Sequence, residues 1–437
     1  MSSAWALAGP VIPLVLAVVV LRRHANQRWC TVIAIWASLV WLGECDLTWH
    51  LVMQWRMWAV LLDVTNLIAA SSAWDSVIWL REHPHMVPFR YYGWWSLFWA
   101  ALLGIALAHN LALAWLAVEF STLTSGALII EVGDRHALEA AWKYILIASV
   151  GLIMGLIGLV FLYASLRSQN LGWAILNYQN LHAQFSHIAP MIRTLATVFI
   201  VAGFGTKAGL VPFHTWLPDA HSEAPSPVSG LLSGVLLGLS LFTVVRFVEA
   251  VPTARGAFLS GSHLLTIFGT LSVVVGALAL LVQRDIKRLL AYSSIEQVGI
   301  MAVAAGLGTK AAVGLALWQF ALHALIKSSV FYGAGHLSVL YQTQRLTKIT
   351  GLLARYPVGA VGWAVGILAL AGLPPLGLAY SEWLIFRQLW QHHAYLVIGL
   401  VAAALTVTFA ALVYHLMRTL WRDMDALAPA SPASEVH

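Results

Sequence analysis

Apolar runs of about 20 residues recur along almost the whole chain, and a helix of that length crosses the ~30 Å hydrocarbon core of a bilayer. The runs lack the ~10-residue alternation of outer-membrane barrel strands, so they predict helices. The chain is 60% hydrophobic and 10% charged, which lies outside the range of soluble globular proteins. We therefore predict an all-α polytopic membrane protein.

We expect 13 to 14 transmembrane helices and number the spans in chain order. The predicted extents of spans 1 to 13 are residues 4–21, 31–50, 57–80, 92–108, 110–131, 138–165, 193–216, 226–248, 262–282, 291–307, 311–338, 357–390 and 394–420.

Basic residues in the loops and near the ends of the spans indicate the orientation, because cytoplasmic loops carry an excess of lysine and arginine. The side that holds the loop after span 1 collects fifteen of them: Arg22, Arg23, Arg28, Arg81, Arg90, Arg135, Lys143, Arg284, Lys287, Arg288, Arg345, Lys348, Arg355, Arg418 and Arg422. The opposite side collects six: Arg56, Arg167, Arg193, Arg255, Lys310 and Arg387. We expect an outside N-terminus and a cytoplasmic C-terminus, in a bacterial or archaeal cytoplasmic membrane. The net charge of +6 thus reflects topology and not a nucleic-acid partner.

Glycine and proline interrupt spans 7 and 12. The first interruption lies near residues 209–212, and the second lies in "LAGLPPLGLAYSEWLIF", near residues 373–377. Proline removes a backbone donor and clashes one turn back, so each position predicts an unwound point. The interruptions lie five spans apart, and an odd offset reverses a repeat across the membrane. This pattern is typical of an inverted-repeat transporter.

The repeats divide the chain into four parts. Spans 1–3 occupy residues 1–90, a first five-helix repeat (spans 4–8) occupies 91–250, and a second (spans 9–13) occupies 251–420. Residues 421–437 include "APASPASEVH", whose composition predicts a disordered cytoplasmic tail.

Charged side chains inside the spans are the main functional signal, because such groups are costly at bilayer depth and usually mark ion paths. Glu119 lies in the middle of span 5, and Lys207 directly precedes the break in span 7. Desolvation disfavours a buried ammonium, so a Glu–Lys pair can hold or release a proton as its separation changes. The competing interpretation is a static ion pair.

Span 11 carries a polar stripe. Gln319, His323 and Lys327 follow one another at i, i+4 and i+8, which places them on one helical face. A histidine followed by a lysine at this spacing is the outline of a proton wire, although a single buried histidine is more often structural. His336 lies nearer the predicted cytoplasmic end and could belong to a relay or a gate.

Further ionisable residues surround the two breaks. Glu382 follows the break in span 12, and Glu296 lies early in span 10, in "AYSSIEQVGIM". At the predicted cytoplasmic end of span 7 lie His214, Asp219 and His221, which could form an inner mouth or cap helices. The two cysteines, Cys30 and Cys45, form no CxxC pair and no metal spacing. We therefore expect no cofactor and no metal in this chain.

Three long motifs occur in the order typical of one family: "GFGTKAGLVPFHTWLPDAHSEAPSPVSGLLSG", "QRDIKRLLAYSSIEQVGIM" and "GLPPLGLAYSEWLIF". They resemble the antiporter-like proton-translocating subunits of respiratory complex I, of multisubunit cation/proton antiporters and of group 4 hydrogenases. The resemblance covers roughly residues 90–420. The segments "SSIEQVGI" and "PSPVSGLLSGVLL" are most similar to the hydrogenase-4 F-type subunit.

The resemblance assigns roles by motif position. It implies that Glu119 and Lys207 are the glutamate and lysine of spans 5 and 7, that His323 and Lys327 are the central pair of span 11, and that Glu382 is the terminal acid of span 12. One departure concerns span 8, where many relatives carry a lysine or histidine and "SGLLSGVLLGLSLF" offers serines such as Ser233 and Ser240. We expect these two hydroxyls to share a face and to order water in a hydrated cleft between the halves. A final helix common in relatives also has no counterpart before this chain ends.

We predict a proton-translocating subunit of a multisubunit redox-driven complex, with protons, or alternatively sodium ions, moving through the buried Glu/Lys/His relay. The expected partners are other membrane subunits and hydrogenase-like or complex I-like redox subunits, which would carry the electrons. The chain itself would be a non-catalytic, ion-translocating subunit. Two alternatives are a membrane subunit of a non-redox cation/proton antiporter or proton-driven inorganic-carbon uptake complex, and a scaffold whose channel has decayed. Gene neighbours would discriminate: a nickel–iron hydrogenase-like large subunit favours the first interpretation, and a single large zinc-containing partner favours carbon uptake.

Overall fold

A computed structural model of the protein describes residues 31–39, 56–253 and 259–421. Span 1, most of span 2 and the predicted disordered tail lie outside the described residues. Within the described residues the chain forms helices and no strands. Residues 31–39 are helical and belong to span 2. The uninterrupted spans are Arg56–Glu82 (span 3), Pro88–Leu107 (span 4), Leu111–Ile130 (span 5), Arg135–Leu166 (span 6), Ser226–Ala250 (span 8), Gly261–Val282 (span 9), Ile286–Gly306 (span 10), Lys310–Tyr341 (span 11) and Tyr395–Trp421 (span 13).

Both predicted interruptions are present. Span 7 consists of Pro190–Ala208 and Trp216–Glu223, and span 12 consists of Pro357–Leu370 and Ala379–Gln391. Of the described helices, eight are long and apolar enough to cross a membrane, and they include the first half of span 7. Shorter helices, Tyr178–Gln184 and Leu352–Arg355, lie in the loops before spans 7 and 12.

The two breaks begin with the same backbone device. Gly209 and Gly372 have positive φ angles of 78° and 72°, a conformation that glycine adopts without steric cost. Directly after each glycine, an amide donates back across the last turn: Leu210 N to Gly205 O at 2.9 Å, and Leu373 N to Leu368 O at 3.1 Å. These are Schellman-type C-caps, which satisfy helix-end carbonyls inside the protein. The shared device fits an inverted repeat, and the superposition of the two halves stays a prediction.

Helix starts are defined by side-chain caps. The side chains of Asn110, Asp134, Ser260, Asp285 and Thr309 accept hydrogen bonds from backbone amides at the starts of spans 5, 6, 9, 10 and 11. A polar N-cap stabilises a helix by about 1 kcal/mol and fixes the residue at which it begins. The caps at Asp134 and Asp285 explain why spans 6 and 10 begin earlier than hydropathy alone indicates, at residues 135 and 286 and not at 138 and 291.

The exterior and the interior of the described bundle differ as expected for a membrane protein. Span 6 exposes an apolar stripe at helical spacing, which includes Leu138, Trp142, Leu146, Val150 and Ile153. Span 8 is the opposite case, because its most apolar 18-residue window is fully buried. Span 8 packs against span 11 and against the first half of span 7. It is therefore one of the elements through which the two repeats meet, together with span 7, whose second half packs against span 10.

Candidate functional site

Lys207 lies at the centre of a buried site in the first repeat. Its side chain is fully buried, and its Nζ donates to Thr122 Oγ1 at 2.8 Å and to the Tyr144 hydroxyl. The same Nζ lies 4.4 Å from the centre of the Tyr144 ring and 5.6 Å from the Trp216 ring. Trp216 starts the second half of span 7 and donates to Thr206 O at 2.9 Å, so it bridges the break.

Glu119 does not form a direct ion pair with Lys207. Its Oε1 accepts from Ser149 Oγ at 2.7 Å, and its Oε2 is buried with no hydrogen-bond partner in the described chain. Thr122 lies one turn from Glu119 on span 5, and its hydroxyl accepts the hydrogen bond from Lys207 instead. The direct Glu–Lys contact expected from the sequence is thus replaced by intervening hydroxyls. Ser125 adds a further hydroxyl to this set, because the Tyr144 oxygen lies 2.7 Å from Ser125 Oγ.

The polar stripe of span 11 faces span 10. Lys327 Nζ donates to Leu290 O at 2.7 Å and to the Ser293 hydroxyl, and Gln319 Nε2 donates to Gln297 Oε1 at 2.6 Å. Gln319, His323 and Lys327 are all buried, as the i, i+4, i+8 spacing indicates. Lys327, like Lys207, makes no ion pair with a described carboxylate.

His323 lies between these two contacts and is the least satisfied group of the stripe. Both ring nitrogens are buried without a hydrogen-bond partner among the described residues. The imidazole lies beside the backbone of Ser233 in span 8. A buried imidazole in this position has unused donor and acceptor capacity, and one water molecule could fill it.

Glu382 is joined to the stripe through amide side chains. Gln297 Nε2 donates to Glu382 Oε1 at 3.2 Å, and Gln297 in turn accepts from Gln319. Ser381 Oγ donates to the Gln319 oxygen. Glu382 also packs against the break. Its Oε2 lies so close to Gly372 that a Cβ added at that glycine would be only 2.7 Å away. The structure thus brings span 12, span 10 and span 11 together at one polar cluster.

Glu296 lies near this cluster but is not hydrogen-bonded into it. Its carboxylate is fully buried, and both oxygens lack a hydrogen-bond partner in the described chain. Its electrostatic neighbours include Glu382 and Lys327, and Thr408 of span 13 lies beside it. An acid with these neighbours fits the predicted relay position in the second repeat.

The three residues predicted at the inner mouth take different places. Asp219 forms an ion pair with Arg288 at the start of span 10. His221 is fully buried, stacks on Phe331 of span 11 at 4.9 Å between ring centres, and has no partner for either ring nitrogen in the described chain. His214 Nδ1 is likewise buried without a described partner. The expected cluster is therefore not a single mouth, and His221 points toward the second repeat.

Span 8 changes the expected serine arrangement. A π-helical turn occupies Leu232–Leu236 and includes Ser233, whereas Ser240 lies in the α-helical part that follows. Ser233 Oγ lies 2.7 Å from Ser294 Oγ of span 10, whereas Ser240 Oγ donates to its own helix at Leu236 O. A π-turn adds a residue to the turn and shifts the register, so a spacing argument based on a regular α-helix does not hold. Ser233 faces the second repeat, and Ser240 does not share its contact.

His336 binds two acids that the sequence analysis did not select. Its Nε2 lies 2.9 Å from Asp75 Oδ1, and its Nδ1 lies 3.6 Å from Glu82 Oε2. Tyr144 and Gln297 were missed in the same way. Gln297 has a sequence signal, because it directly follows Glu296, and so has Asp75, because it is an acid inside span 3. Tyr144 could be found only from its contacts.

Comparison with known proteins identifies the family. The sequence profile of the family "NADH:quinone oxidoreductase/Mrp antiporter, TM" matches residues 108–408. The chain belongs to this family. The resemblance drawn from the three motifs is confirmed, and the chain is an antiporter-like membrane subunit.

Named relatives and one solved structure agree with this family. The hydrogenase-4 component F homolog of Methylacidiphilum infernorum is 36% identical over 357 residues, 79% of this chain and 74% of that protein. Hydrogenase-4 component B of Escherichia coli is 30% identical over 344 residues, 76% of this chain but only 50% of that protein. A chain of the membrane-bound sulfane sulfur reductase, an archaeal respiratory membrane complex, has the same fold with a TM-score of 0.85 at 22% identity, covering 96% of this chain and 88% of that chain.

Proposed function

We propose that this antiporter-like subunit moves protons across the membrane through Lys207, His323, Lys327 and Glu382, as part of a multisubunit redox-driven complex. The observation that carries the proposal is the environment of Lys207. A fully buried amine has neutral hydroxyls and aromatic rings as partners and no described carboxylate in contact. Removing an ammonium from water costs several kcal/mol unless it is paired, so such a group gains or loses its proton when a nearby charge changes.

The second repeat supports the proposal with the same chemistry. Lys327 is also fully buried and donates to a hydroxyl and a carbonyl. Glu382 and Glu296 lie at the far end of the same buried polar region and can take up the proton that the lysine releases. His323 stands one helical turn from Lys327 and has two ring nitrogens for transfer.

Coupling is proposed to be electrostatic. A redox event in a partner subunit would change the charge near Glu119, whose Oε2 is buried without a described partner. Lys207 would respond through the hydroxyls of Thr122 and Tyr144, and the change would pass to the second repeat across span 8. Glu119 as a residue is half-buried in the described chain, which supports the proposal that a neighbouring subunit acts on it.

The test is proton movement by the native complex in membrane vesicles. Lys207→Ala should abolish proton flux while the complex still assembles, because it removes the switchable charge. Lys348→Ala is a matched control, since Lys348 is exposed in a loop. Normal flux in the Lys207 variant would reject the proposal.

Orientation is proposed from charge. The fifteen-to-six asymmetry of basic residues places the N-terminus outside and the C-terminus in the cytoplasm of a prokaryotic cytoplasmic membrane. Loops assigned to the same side of the membrane lie next to each other, as this topology requires. A backbone bridge joins Asp285 to Arg345 in two loops assigned to the cytoplasmic side, and another joins Asn110 to Asn177 in two loops assigned to the outside. A C-terminal reporter active only outside the cytoplasm would overturn the assignment.

The partner subunits decide between a redox complex and a cation/proton antiporter, because the family includes both. Purification of the native complex and identification of its other subunits is the discriminating experiment. Redox subunits that ligate iron–sulfur clusters or nickel and iron would support the first interpretation. A complex composed of membrane subunits alone would support the antiporter.

A further inference from the structure

A second charged cluster lies outside the relay, between span 3 and the predicted cytoplasmic end of span 11. It consists of Glu82, His336 and Asp75, with the imidazole between the two carboxylates at 3.6 Å and 2.9 Å. The three side chains form a gradient of exposure: the His336 and Glu82 side chains are 37% and 28% exposed, and that of Asp75 is 8% exposed. Asp75 Oδ2 is buried and has no hydrogen-bond partner in the described chain.

The cluster leads from the surface into the bundle. Asp75 precedes Glu82 by seven residues on one helix, so it lies about 10 Å deeper. Below His336 on span 11, one helical turn away, lies Tyr332, whose hydroxyl is 3.1 Å from Ser71 Oγ of span 3. Asp75 and Ser328 are among the neighbours of that hydroxyl. Ser328 follows Lys327, the buried lysine of the relay, so its hydroxyl stands on the same turn of span 11, about 100° around the helix from the lysine side chain.

The packing around this line of groups is tight enough to hold them in register. A Cβ at Gly335 would lie 2.3 Å from Ser226 Oγ at the start of span 8, and a Cβ at Gly230 would lie 2.5 Å from the Tyr332 ring. Span 3, which supplies both acids, lies before residues 108–408 that match the family profile. The site is therefore formed between a helix outside the matched region and a relay helix within it.

We propose that Glu82, His336 and Asp75 form a proton-collecting site that loads Lys327 from the predicted cytoplasmic side. The proposal rests on the proton translocation proposed above and names the residues that supply it. Glu82 captures a proton at the surface, His336 accepts it on Nδ1 and gives up the Nε2 proton to Asp75, and the Tyr332 and Ser328 hydroxyls pass it inward. No bond other than O–H and N–H forms or breaks. Each transfer leaves the imidazole neutral but in its other tautomer, and a ring flip restores the starting arrangement before the next proton.

Other charged groups around His336 set its environment. Lys287 of span 10 lies 5.3 Å from the centre of the Trp79 ring of span 3, with its Nζ donating to Ala224 O. His83 and His85 follow span 3 directly, and Lys327 lies deeper on span 11. Burial lowers the pKa of His83. His336 is the imidazole that contacts both acids and is therefore the group expected to carry the transfer.

The alternative is a structural one, in which the cluster fastens span 3 to span 11. Asp75→Asn separates the two roles, because the amide oxygen still accepts from His336 but the group no longer takes up a proton. Asp75→Glu restores a carboxyl group, and His336→Gln keeps a donor without a transferable proton. Glu139→Gln is the control, since Glu139 forms an exposed ion pair with Lys143 on the same predicted side.

The readout is proton uptake by the native complex in vesicles, between about pH 6 and about pH 9 on the cytoplasmic side. Proton collection limits uptake when protons are scarce, so Asp75→Asn and His336→Gln should reduce uptake about tenfold at the high end and little at the low end. Asp75→Glu should recover most of the loss, and Glu139→Gln should match the unaltered protein.

A loss by the same factor at every pH, or no loss in Asp75→Asn, would overturn the collecting site. The amount of assembled complex recovered with each variant shows whether a loss comes from misassembly. Lys207→Ala in the same preparation separates this inference from the proposed function. Uptake abolished by Lys207→Ala but unchanged by both cluster variants would reject the collecting site alone.

Discussion

The two broken spans have the same backbone conformation at the break and differ in the ionisable residue beside it. Each first half ends at a glycine with positive φ and a Schellman-type cap. In span 7 the ionisable group is Lys207, in the last turn of the first half. In span 12 it is Glu382, in the first turn of the second half.

Helix-end electrostatics explains this difference. The carboxyl end of a helix carries partial negative charge and stabilises a cation, and the amino end stabilises an anion, by about 0.3–1 kcal/mol near the surface and up to ~2 kcal/mol when partly buried. Lys207 and Glu382 each lie at the helix end that suits their charged form. Breaking a membrane helix therefore creates two charge-selective positions inside the bilayer, and each repeat fills a different one.

The partners of the two groups differ as well. Lys207 is surrounded by hydroxyls and aromatic rings, whereas Glu382 is held by the amide of Gln297 next to Ser381 and Gln319. Hydroxyls can donate and accept, so they can serve both forms of the lysine. The Gln297 NH₂ group can only donate, so it fixes the orientation of the glutamate oxygen that accepts from it. We infer that span 7 holds the more easily switched group and span 12 the more firmly positioned one.

After the complete loss expected at Lys207, the largest effect in this comparison is expected at Glu382. Glu382→Gln keeps the shape of the side chain and removes the proton-binding site, so proton flux in vesicles should fall about 100-fold. Glu382→Asp retains a carboxyl group on a shorter stem and should keep part of the flux. Unchanged flux in the glutamine variant would mean that span 12 is broken for structural reasons only.

A smaller effect is expected from the hydroxyls around Lys207. Tyr144→Phe removes one hydrogen bond to the lysine while Thr122 remains, and hydrogen bonds to charged groups contribute about 1.5–3 kcal/mol. Flux should fall roughly tenfold, because that free energy biases the proton equilibrium of Lys207. Tyr163→Phe is the matched control on the same span, where the ring stacks on Trp173 at 5.5 Å between centres, away from Lys207. Equal flux in the two variants would show that Tyr144 serves packing alone.

The smallest effect concerns the connection between the two breaks. Ser233→Ala should lower flux about threefold, the effect of losing one neutral hydrogen bond of about 0.5–1.5 kcal/mol, here the bond to Ser294. Ser240→Ala should leave flux unchanged, because that hydroxyl binds its own helix. If the two variants lost flux equally, both hydroxyls would have to face the hydrated cleft that the sequence predicts.

Sequence patterns predicted the membrane fold and both breaks, since apolar run length and the Gly/Pro signal depend on local physics. They also located the ionisable residues, because a charge in an apolar run stands out. The contacts of those residues could not be read in the same way. Lys207 binds Tyr144 and Thr122 instead of Glu119, because lysine reach and helix packing decide the partner.

The spacing argument failed where the helix itself is irregular. Ser233 and Ser240 would share a face on an α-helix, but the π-turn that contains Ser233 changes the register. Asp75 is an acid inside span 3 and could have been selected on that signal, but its relation to His336 joins residues 261 positions apart. Such long-range pairs are set by tertiary packing and carry no local signal.

The most direct test of the account is proton flux through the native complex with Lys207→Arg. Arginine keeps the positive charge and most of the side-chain length, but its guanidinium does not deprotonate in proteins. The account predicts that flux is lost as completely as in Lys207→Ala, with the complex still assembled. Flux near that of the unaltered protein would contradict it, because a fixed charge would then suffice and Lys207 would not be a proton-carrying group.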